Sequence, residues 1–528
     1  MSEIVHQESD KIKAETRKLK REITLLPLFG LIYFTVCGGA FGAEPIIGWS
    51  GPGLAIALFF ITPIIYSIPN MLLVRELQSM MPAEGGYYHW VKQAMGPFAG
   101  FMAGWMNWVV AWVDVSIYPV LAAYYLGYFI PIIRTGGKIG DIFFSSEILS
   151  FIVALILIWS ISYLNIRGAR LAGLTTNWLS VFMLTPLVVI SVLGFYNWFR
   201  SGVTIALPFI PEGSTFVGAL STGIYVAMWN YMGWELPTAA GDEIVQPRRT
   251  YPLAMVLVLF AAIATYTLPT VAGLYGGAGE DGKYQLWGIE ESESGAGIGP
   301  VMEEYGVPPE KLEEWGVDPS SSVGWEFPDI AHAIGDKLTG VKNSPLGRLL
   351  GLAVTFSAVL SMIGLFIGNS LGGTRVPFAM AEDGMMPTFL VKVHPQFGTP
   401  WVSIVLCGII FSIFSLSAFA ALVVIDVFLN VVVLLMQFIS LWILRFKKPE
   451  IPRDKIPGGI AGLILVTLGP TAIFILAVYS QVMEEGMKSI GLALIFAAIG
   501  ALLYFPIKAF IKPGIPDVNP YTTAVEAE

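Results

Sequence analysis

The chain has 528 residues, 55% of them hydrophobic and 13% charged, with a net charge of −9 and a mean hydropathy of +0.69. That excludes a soluble protein of this length, because many runs reach the roughly 18–20 apolar residues that cross a bilayer. The two cysteines, Cys37 and Cys407, both sit in apolar runs, so no disulfide framework is expected.

Residues 1–23 read as a polar tail with no apolar signal-peptide core, so insertion falls to the first membrane helix. Twelve spans follow, at about 24–50, 53–79, 96–130, 148–165, 172–198, 216–241, 251–275, 345–377, 400–418, 421–446, 458–482 and 487–511, and 512–528 form a second tail. The fold class is therefore an all-α membrane protein. With the N-terminus in the cytoplasm, 21 of the 30 Lys and Arg residues lie inside, including the Lys11–Arg21 cluster, Arg167, Arg170, Arg248, Arg249 and the Arg445–Lys455 loop. The positive-inside rule favours that orientation, which leaves both tails cytoplasmic in a multi-pass protein of the plasma membrane.

The first span is interrupted at Gly38-Gly39-Ala40-Phe41-Gly42, with Glu44 and Pro45 directly after. Gly38 and Gly42 form a G-x-x-x-G pair, which by itself reads equally as close helix packing. A carboxylate two residues on is not needed for packing. A charge in the bilayer costs on the order of 3 kcal/mol even on the most lenient scale, so a function or a partner keeps it there. The freed amides of an unwound helix also suit an anionic group.

In the third span, Asp114 sits in Trp112-Val113-Asp114-Val115-Ser116. It reads either as bundle glue, paired with a Ser, Thr or Asn of a neighbouring helix, or as a substrate contact. Arg75 and Glu76 close the second span, where an ion pair is the default expectation. His89, in the loop that follows, receives no role.

The sixth span breaks at Asn230-Tyr231-Met232-Gly233-Trp234, followed by Glu235 and Pro237. Irregular backbone at membrane depth is tolerated only when buried in protein or lining a cavity. Paired interruptions in corresponding helices mark a transporter's central site. Trp229 reads as packing, as an interfacial anchor, or as an aromatic lid over a bound amine. Glu235 reads as a hydrogen-bond partner of exposed backbone or as a functional carboxylate.

Between the seventh and eighth spans, 276–344 form a long acidic connection rich in Gly and Pro, including Glu280, Asp281, Glu290, Glu291, Glu293, Glu303 and Glu304. It is expected outside, chiefly as a surface elaboration, with a lid role as the alternative. Trp325 to Leu338 predicts a short helix, with Asp329 as its cap and Ile330, Ile334 and Leu338 at helical spacing. Asp426, near the start of the tenth span, falls at the outer interface.

The four histidines lack metal-ligand spacing, so no metal is expected. A phosphate-cradling G-x-x-x-x-G-K-[ST] stretch is absent, and an ATP-driven pump is not supported. No nucleophile–base constellation marks an enzyme, and no nucleic-acid partner is expected. Three unpaired carboxylates with aromatics favour a cationic ligand. A carboxyl that trades a proton for a substrate amine gives proton coupling directly, and Glu235 and Glu44 are the candidates.

These motifs resemble the amino acid–polyamine–organocation superfamily, whose members share the leucine-transporter fold. Cys37-Gly38-Gly39-Ala40-Phe41 is similar to its G-S-G-x-F type motif in the first helix. Glu84-Gly85-Gly86-Tyr87-Tyr88-His89-Trp90, followed by Gly96, resembles its loop after the second helix. Trp229 to Pro247 resembles its sixth helix and exit. Met380-Ala381-Glu382-Asp383-Gly384-Met385-Met386-Pro387 with Gly398-Thr399-Pro400 resembles its loop after the eighth.

Within the superfamily, Gly38 to Glu44 is similar to the G-G-P-F-G-V-E stretch of the polyamine-uptake branch. Ser67-Ile68-Pro69, and Asp114 followed by Tyr118-Pro119-Val120-Leu121, match that branch too. The chain departs from it at Ala40 (for Pro), at Glu235 (for Asp) and in its enlarged outer loop. The resemblance implies inverted five-helix repeats over 24–198 and 216–446, broken first and sixth helices, and two further helices.

It further implies a secondary transporter for cationic amines or amino acids, working by alternating access with a proton gradient, or alternatively sodium, as energy source. The implied substrate site is Gly38, Gly39, Ala40, Phe41, Gly42, Glu44, Asp114, Trp229, Tyr231 and Glu235. The alternatives are an amino acid permease or exchanger that holds the substrate carboxylate at the Gly38–Gly42 amides, and a non-transporting sensor of the same fold.

Overall fold

The computed structural model describes residues 22–81, 85–139, 142–202, 207–211, 213–289, 297–304, 306–315, 317–320, 324–416, 419–485 and 488–510. The tails 1–21 and 511–528, Glu84, Glu290, Glu291, Glu293 and the Asp426 side chain lie outside what is described.

Helix α1 (Leu25–Val36) stops where Cys37 turns extended, and α2 (Glu44–Ser50) restarts after seven non-helical residues. Pro45 lies in the first turn of α2, where its missing N–H removes no helical bond, and Glu44 there complements the helix dipole. Next come α3 (Pro52–Met80), α4 (Tyr87–Met95), α5 (Pro97–Leu126), α6 (Ser146–Arg167) and α7 (Ala169–Ser201). Within α3, Pro63 opens a π-helical turn, as a residue without an amide donor does mid-helix.

The second broken span is α8 (Phe216–Trp229), then irregular backbone at 230–235, then a 3₁₀ segment Leu236–Glu243. It is followed by α9 (Pro247–Gly273), α10 (Phe327–Thr339) in the long connection, α11 (Pro345–Glu382), α12 (Trp401–Phe414), α13 (Phe419–Lys447), α14 (Gly459–Glu485) and α15 (Lys488–Phe510). Among the described residues eight helices are long and apolar enough to cross a membrane. α12, the apolar part of α15 and the two broken pairs fall on four further expected spans.

Burial separates the bundle's centre from its lipid-facing periphery. The apolar stretches of α5 and α11 are 67% and 61% buried, against 28% for α6 and α14. The central helix α11 packs on α1, α5 and α7, while α9 packs on α1 and α7. Polar contacts join the sequence halves through this core. Tyr33 and Thr265 hydroxyls lie 3.0 Å apart, Ser357 donates to the Met183 carbonyl (2.6 Å), and Asn165 donates to Ser370 Oγ (2.8 Å).

The bundle is all-α as expected; one short antiparallel ribbon, β1 (Gly137–Ile139) with β2 (Ile142–Phe144), joins the third and fourth spans. Several expectations are corrected. The stretch after the second span contains α4, and His89 there approaches Asp383 (3.7 Å), which Lys92 pairs at 2.8 Å. Arg75 and Glu76 do not pair with each other. Adjacent helix residues point apart, so Arg75 meets Asp454 (3.5 Å) and Glu76 meets Arg445 (3.4 Å).

The helix expected near 325–338 is Phe327–Thr339. Asp329 sits at its third position rather than at the cap, and its Oδ2 accepts from the Glu326 amide (3.1 Å). The insertion, expected chiefly as a surface elaboration, is internally packed. It owns an apolar cluster of Leu286, Ile289, Ile298, Met302, Val307, Leu312 and Val317, against which Trp49 of α2 packs.

At the opposite face, the amides of Glu22 and Ile23 donate to the Glu243 carbonyl (3.0 and 2.9 Å), and Glu243 Oε1 holds Arg375 Nε at 2.8 Å in full burial. Removing one member of such a pair leaves an uncompensated buried charge. Glu243→Gln and Arg375→Gln are each expected to cost about 3–5 kcal/mol, with the double variant less unstable than the two losses added. Thermal unfolding of the purified protein checks this.

Gly48 marks how closely the insertion approaches α2, since a Cβ there would come within 2.3 Å of the Trp287 carbonyl oxygen. Gly48→Ala is expected to destabilise by about 1–3 kcal/mol through overpacking. Gly491→Ala, in α15 with open space around it, is expected to gain up to about 1 kcal/mol of helix propensity. Tryptophan fluorescence melts of the two variants test the contrast.

Candidate functional site at the two helix breaks

Each break leaves backbone groups that no helix satisfies, and the surrounding spans supply their partners. In the first break, Ser361 Oγ of α11 donates to the Gly38 carbonyl, and Glu44 Oε2 accepts from the Gly42 amide (2.7 Å). In the second, Tyr266 and Tyr251 of α9 donate their hydroxyls to the carbonyls of Asn230 and Trp234, both at 2.8 Å. Asn230 joins the two breaks, its Nδ2 donating to the Gly42 carbonyl (3.1 Å) and to the Val226 carbonyl (2.9 Å). Gly233 takes φ +97°, and a Cβ there would lie 2.3 Å from the Thr35 carbonyl oxygen, so a side chain would push the breaks apart.

The expected site residues divide into distinct surroundings. Gly38, Gly42, Asp114 and Trp229 keep part of their surface accessible, while Gly39, Ala40, Phe41, Glu44, Tyr231 and Glu235 are buried. Trp229 lies against Gly42, its ring 3.0 Å from where a Cβ would stand. It also packs on Val431 and Phe474. Phe41 stacks edge-on against Phe327 (6.2 Å) and lies near Tyr125 (6.3 Å).

Tyr231 is buried and reaches toward α3. Its hydroxyl donates to the Phe59 carbonyl of α3 (3.0 Å) and its ring meets Tyr266 edge-on (5.2 Å). The hydrogen bond ties the sixth span to α3.

The three carboxylates are not gathered at one point. Glu44 lies toward the insertion, with Oε1 accepting from the Phe327 amide (3.2 Å) and Oε2 from Gly42. It is therefore not the unpaired carboxylate that the sequence led us to expect. Asp114 Oδ1 accepts from Tyr118 of its own helix (2.6 Å), and Asn369 of α11 donates to that tyrosine oxygen (3.3 Å). A link to a neighbouring helix thus exists, carried through Tyr118.

Glu235 lies toward the opposite face, within electrostatic reach of Tyr66, Tyr87 and Tyr251. The Asn70 side chain lies beside its carboxylate, short of hydrogen-bond geometry, and Glu235 Oε2 has no hydrogen-bond partner among the described residues. No cluster of metal-binding side chains occurs among the described residues.

Sequence reasoning passed over Asn230, Ser361, Tyr266 and Asn70, since single polar residues in apolar runs carry no pattern. Arg375 was findable, because an arginine inside an apolar span demands a partner.

The family described as amino acid permease matches residues 23–283 and 335–504, leaving out the middle of the insertion. Among curated relatives, the polyamine transporter RMV1 of Arabidopsis thaliana is 29% identical over 87% of this chain and 81% of its own. The polyamine transporter PUT1 of Oryza sativa subsp. japonica is 27% identical over 94% and 82%. The crystal structure of MhsT in complex with L-phenylalanine is 12% identical, with a TM-score of 0.57 over 88% of this chain and all of the other, a likeness of fold. With the family match covering most of its length and the helix breaks in place, this chain belongs to the amino acid permease family and is a multi-pass membrane transporter of the leucine-transporter fold, not an enzyme.

Proposed function

We propose that this permease carries organic amines, polyamines foremost, across the plasma membrane by proton-coupled alternating access, with both tails in the cytoplasm. One observation carries the reading: Glu235 is 3% exposed, beside the second break, with a carboxylate oxygen that no described residue bonds. An anion held inside a membrane protein needs a cation or a proton. A substrate ammonium and a proton are the two partners that make such a site a coupled carrier.

Asp114 supplies a second negative group that keeps accessible surface, and Trp229 offers a ring face at the first break. A diamine has two charged ends for two carboxylates. The relatives named as polyamine transporters support the same substrate class. The excess of Lys and Arg on one side supports the orientation.

Protonated, Glu235 needs no cation and the carrier is free to change its facing state. Glu235→Gln fixes that neutral condition. The variant is expected to retain counterflow of 1,4-diaminobutane in proteoliposomes while losing accumulation driven by an inward proton gradient. A Gln variant that still concentrates the diamine on the gradient shows that coupling lies elsewhere. Wild-type uptake that prefers zwitterionic amino acids over the diamine replaces the polyamine reading with an amino acid exchanger. Uptake that requires sodium replaces the proton.

Trp229→Leu is expected to weaken diamine binding roughly two- to thirtyfold, the range a cation over an indole spans, while Trp229→Phe keeps part of the affinity. Equal losses in direct binding measurements would assign the indole to packing on Val431 and Phe474 instead.

A further inference from the structure

The amide of Phe327 is the first N–H of helix α10, and it donates to a carboxylate 283 residues away in sequence, Glu44 Oε1 at 3.2 Å. The other oxygen of that carboxylate takes the Gly42 amide at 2.7 Å, so one buried side chain joins the unwound first span to the insertion. Aromatic packing follows the same seam. Phe327 meets Phe41 edge-on at 6.2 Å and Trp287 at 6.0 Å, and Phe41 reaches Tyr125 at 6.3 Å. The backbones are also in close approach, since a Cβ on Gly288 would come within 2.3 Å of the Pro45 nitrogen. Phe327 itself falls between the two stretches that the permease family covers, whereas Glu44 falls inside the first.

We propose that Glu44 is a positioning residue of the transport cycle: its carboxylate latches helix α10 of this chain's insertion over the first helix break and holds that mouth closed. The inference rests on the transporter reading for the existence of an open state. It does not depend on which substrate is carried. A hydrogen bond to a charged acceptor outweighs one between neutral groups, so a single carboxylate is a strong enough anchor for a helix that must also let go. When the helix lifts, both oxygens of Glu44 lose one partner between them and the carboxylate faces the opened mouth.

The test separates the N–H from the ring at one position. Phe327→Pro removes the donated N–H, and proline is tolerated in the first turn of a helix. Phe327→Leu keeps the N–H and loses the ring. Glu44→Gln removes the charge on the acceptor. Each is placed in a chain carrying Cys37→Ala, Cys407→Ala and the reporter Tyr125→Cys, and labelled from the insertion side with a membrane-impermeant maleimide in the absence of any substrate.

The expected result is roughly tenfold faster labelling of Phe327→Pro and of Glu44→Gln than of their shared parent, the scale of one lost charge-assisted hydrogen bond. Phe327→Leu is expected to stay closer to the parent. Equal rates for the proline and leucine variants, or an unchanged rate for Glu44→Gln, overturn the latch. If Phe327→Pro does not fold, Glu44→Gln against the parent decides it alone. Because no substrate is present, these outcomes stand apart from those of the uptake assays: a chain that carries amino acids instead of polyamines still shows the latch, and a polyamine carrier without it labels equally.

Discussion

Two helices that stop in mid-membrane must have their backbone groups satisfied by something other than water, and the centre of this structure is arranged around that need. The carbonyls and amides freed at 37–43 and 230–235 are met by Ser361, Glu44, Asn230, Tyr251 and Tyr266, drawn from four different spans. Each partner fixes the distance between its own helix and a break. Satisfying the backbone therefore also sets the spacing of α9 and α11 around the centre. Asn230 has the widest reach, since its one side chain serves the first break and its own helix end.

The charged groups follow a gradient of compensation along the molecule. Toward the face with Glu22 and Arg445, carboxylates are matched by cations: Glu243 with Arg375, Asp383 with Lys92, Glu76 with Arg445. Toward the insertion, Glu44 is matched by backbone amides. Glu235, beside the second break, lacks a partner for one oxygen among the described residues. A protein of marginal stability keeps such a group only where it serves a purpose, since an unpaired buried anion is costly. Glu76 Oε1 is likewise unbonded, but Glu76 has Arg445 beside it; no ion pair among the described residues involves Glu235.

The insertion changes the meaning of the first break. It has an apolar cluster of its own, on which Trp49 of α2 packs, and Gly48, Gly288 and Phe327 bring it to within contact of the first span. Its helix ends in a carboxylate of the transport core. A structure of this kind passes motion at the mouth to the unwound backbone, because one side chain bonds both.

The sequence by itself determined the class, the spans and both interruptions. Hydropathy over 18–20 residues is a local quantity, and glycine, proline and a carboxylate within one apolar run are local contradictions that reading along the chain exposes. Trp229, which along the chain reads as packing, anchor or lid beside the second break, stands against Gly42 of the first. Only the tertiary structure decided what each group bonds. Tyr231 and Glu235 are four residues apart in one irregular segment, yet one donates to Phe59 and the other is left with an unbonded oxygen, because outside a helix sequence spacing no longer fixes side-chain direction. Glu44 looked free since its partner, the Phe327 amide, is a backbone group that carries no signature in sequence and lies 283 residues away. Pairings across such separations are set by how helices pack, and packing is what a linear pattern does not contain.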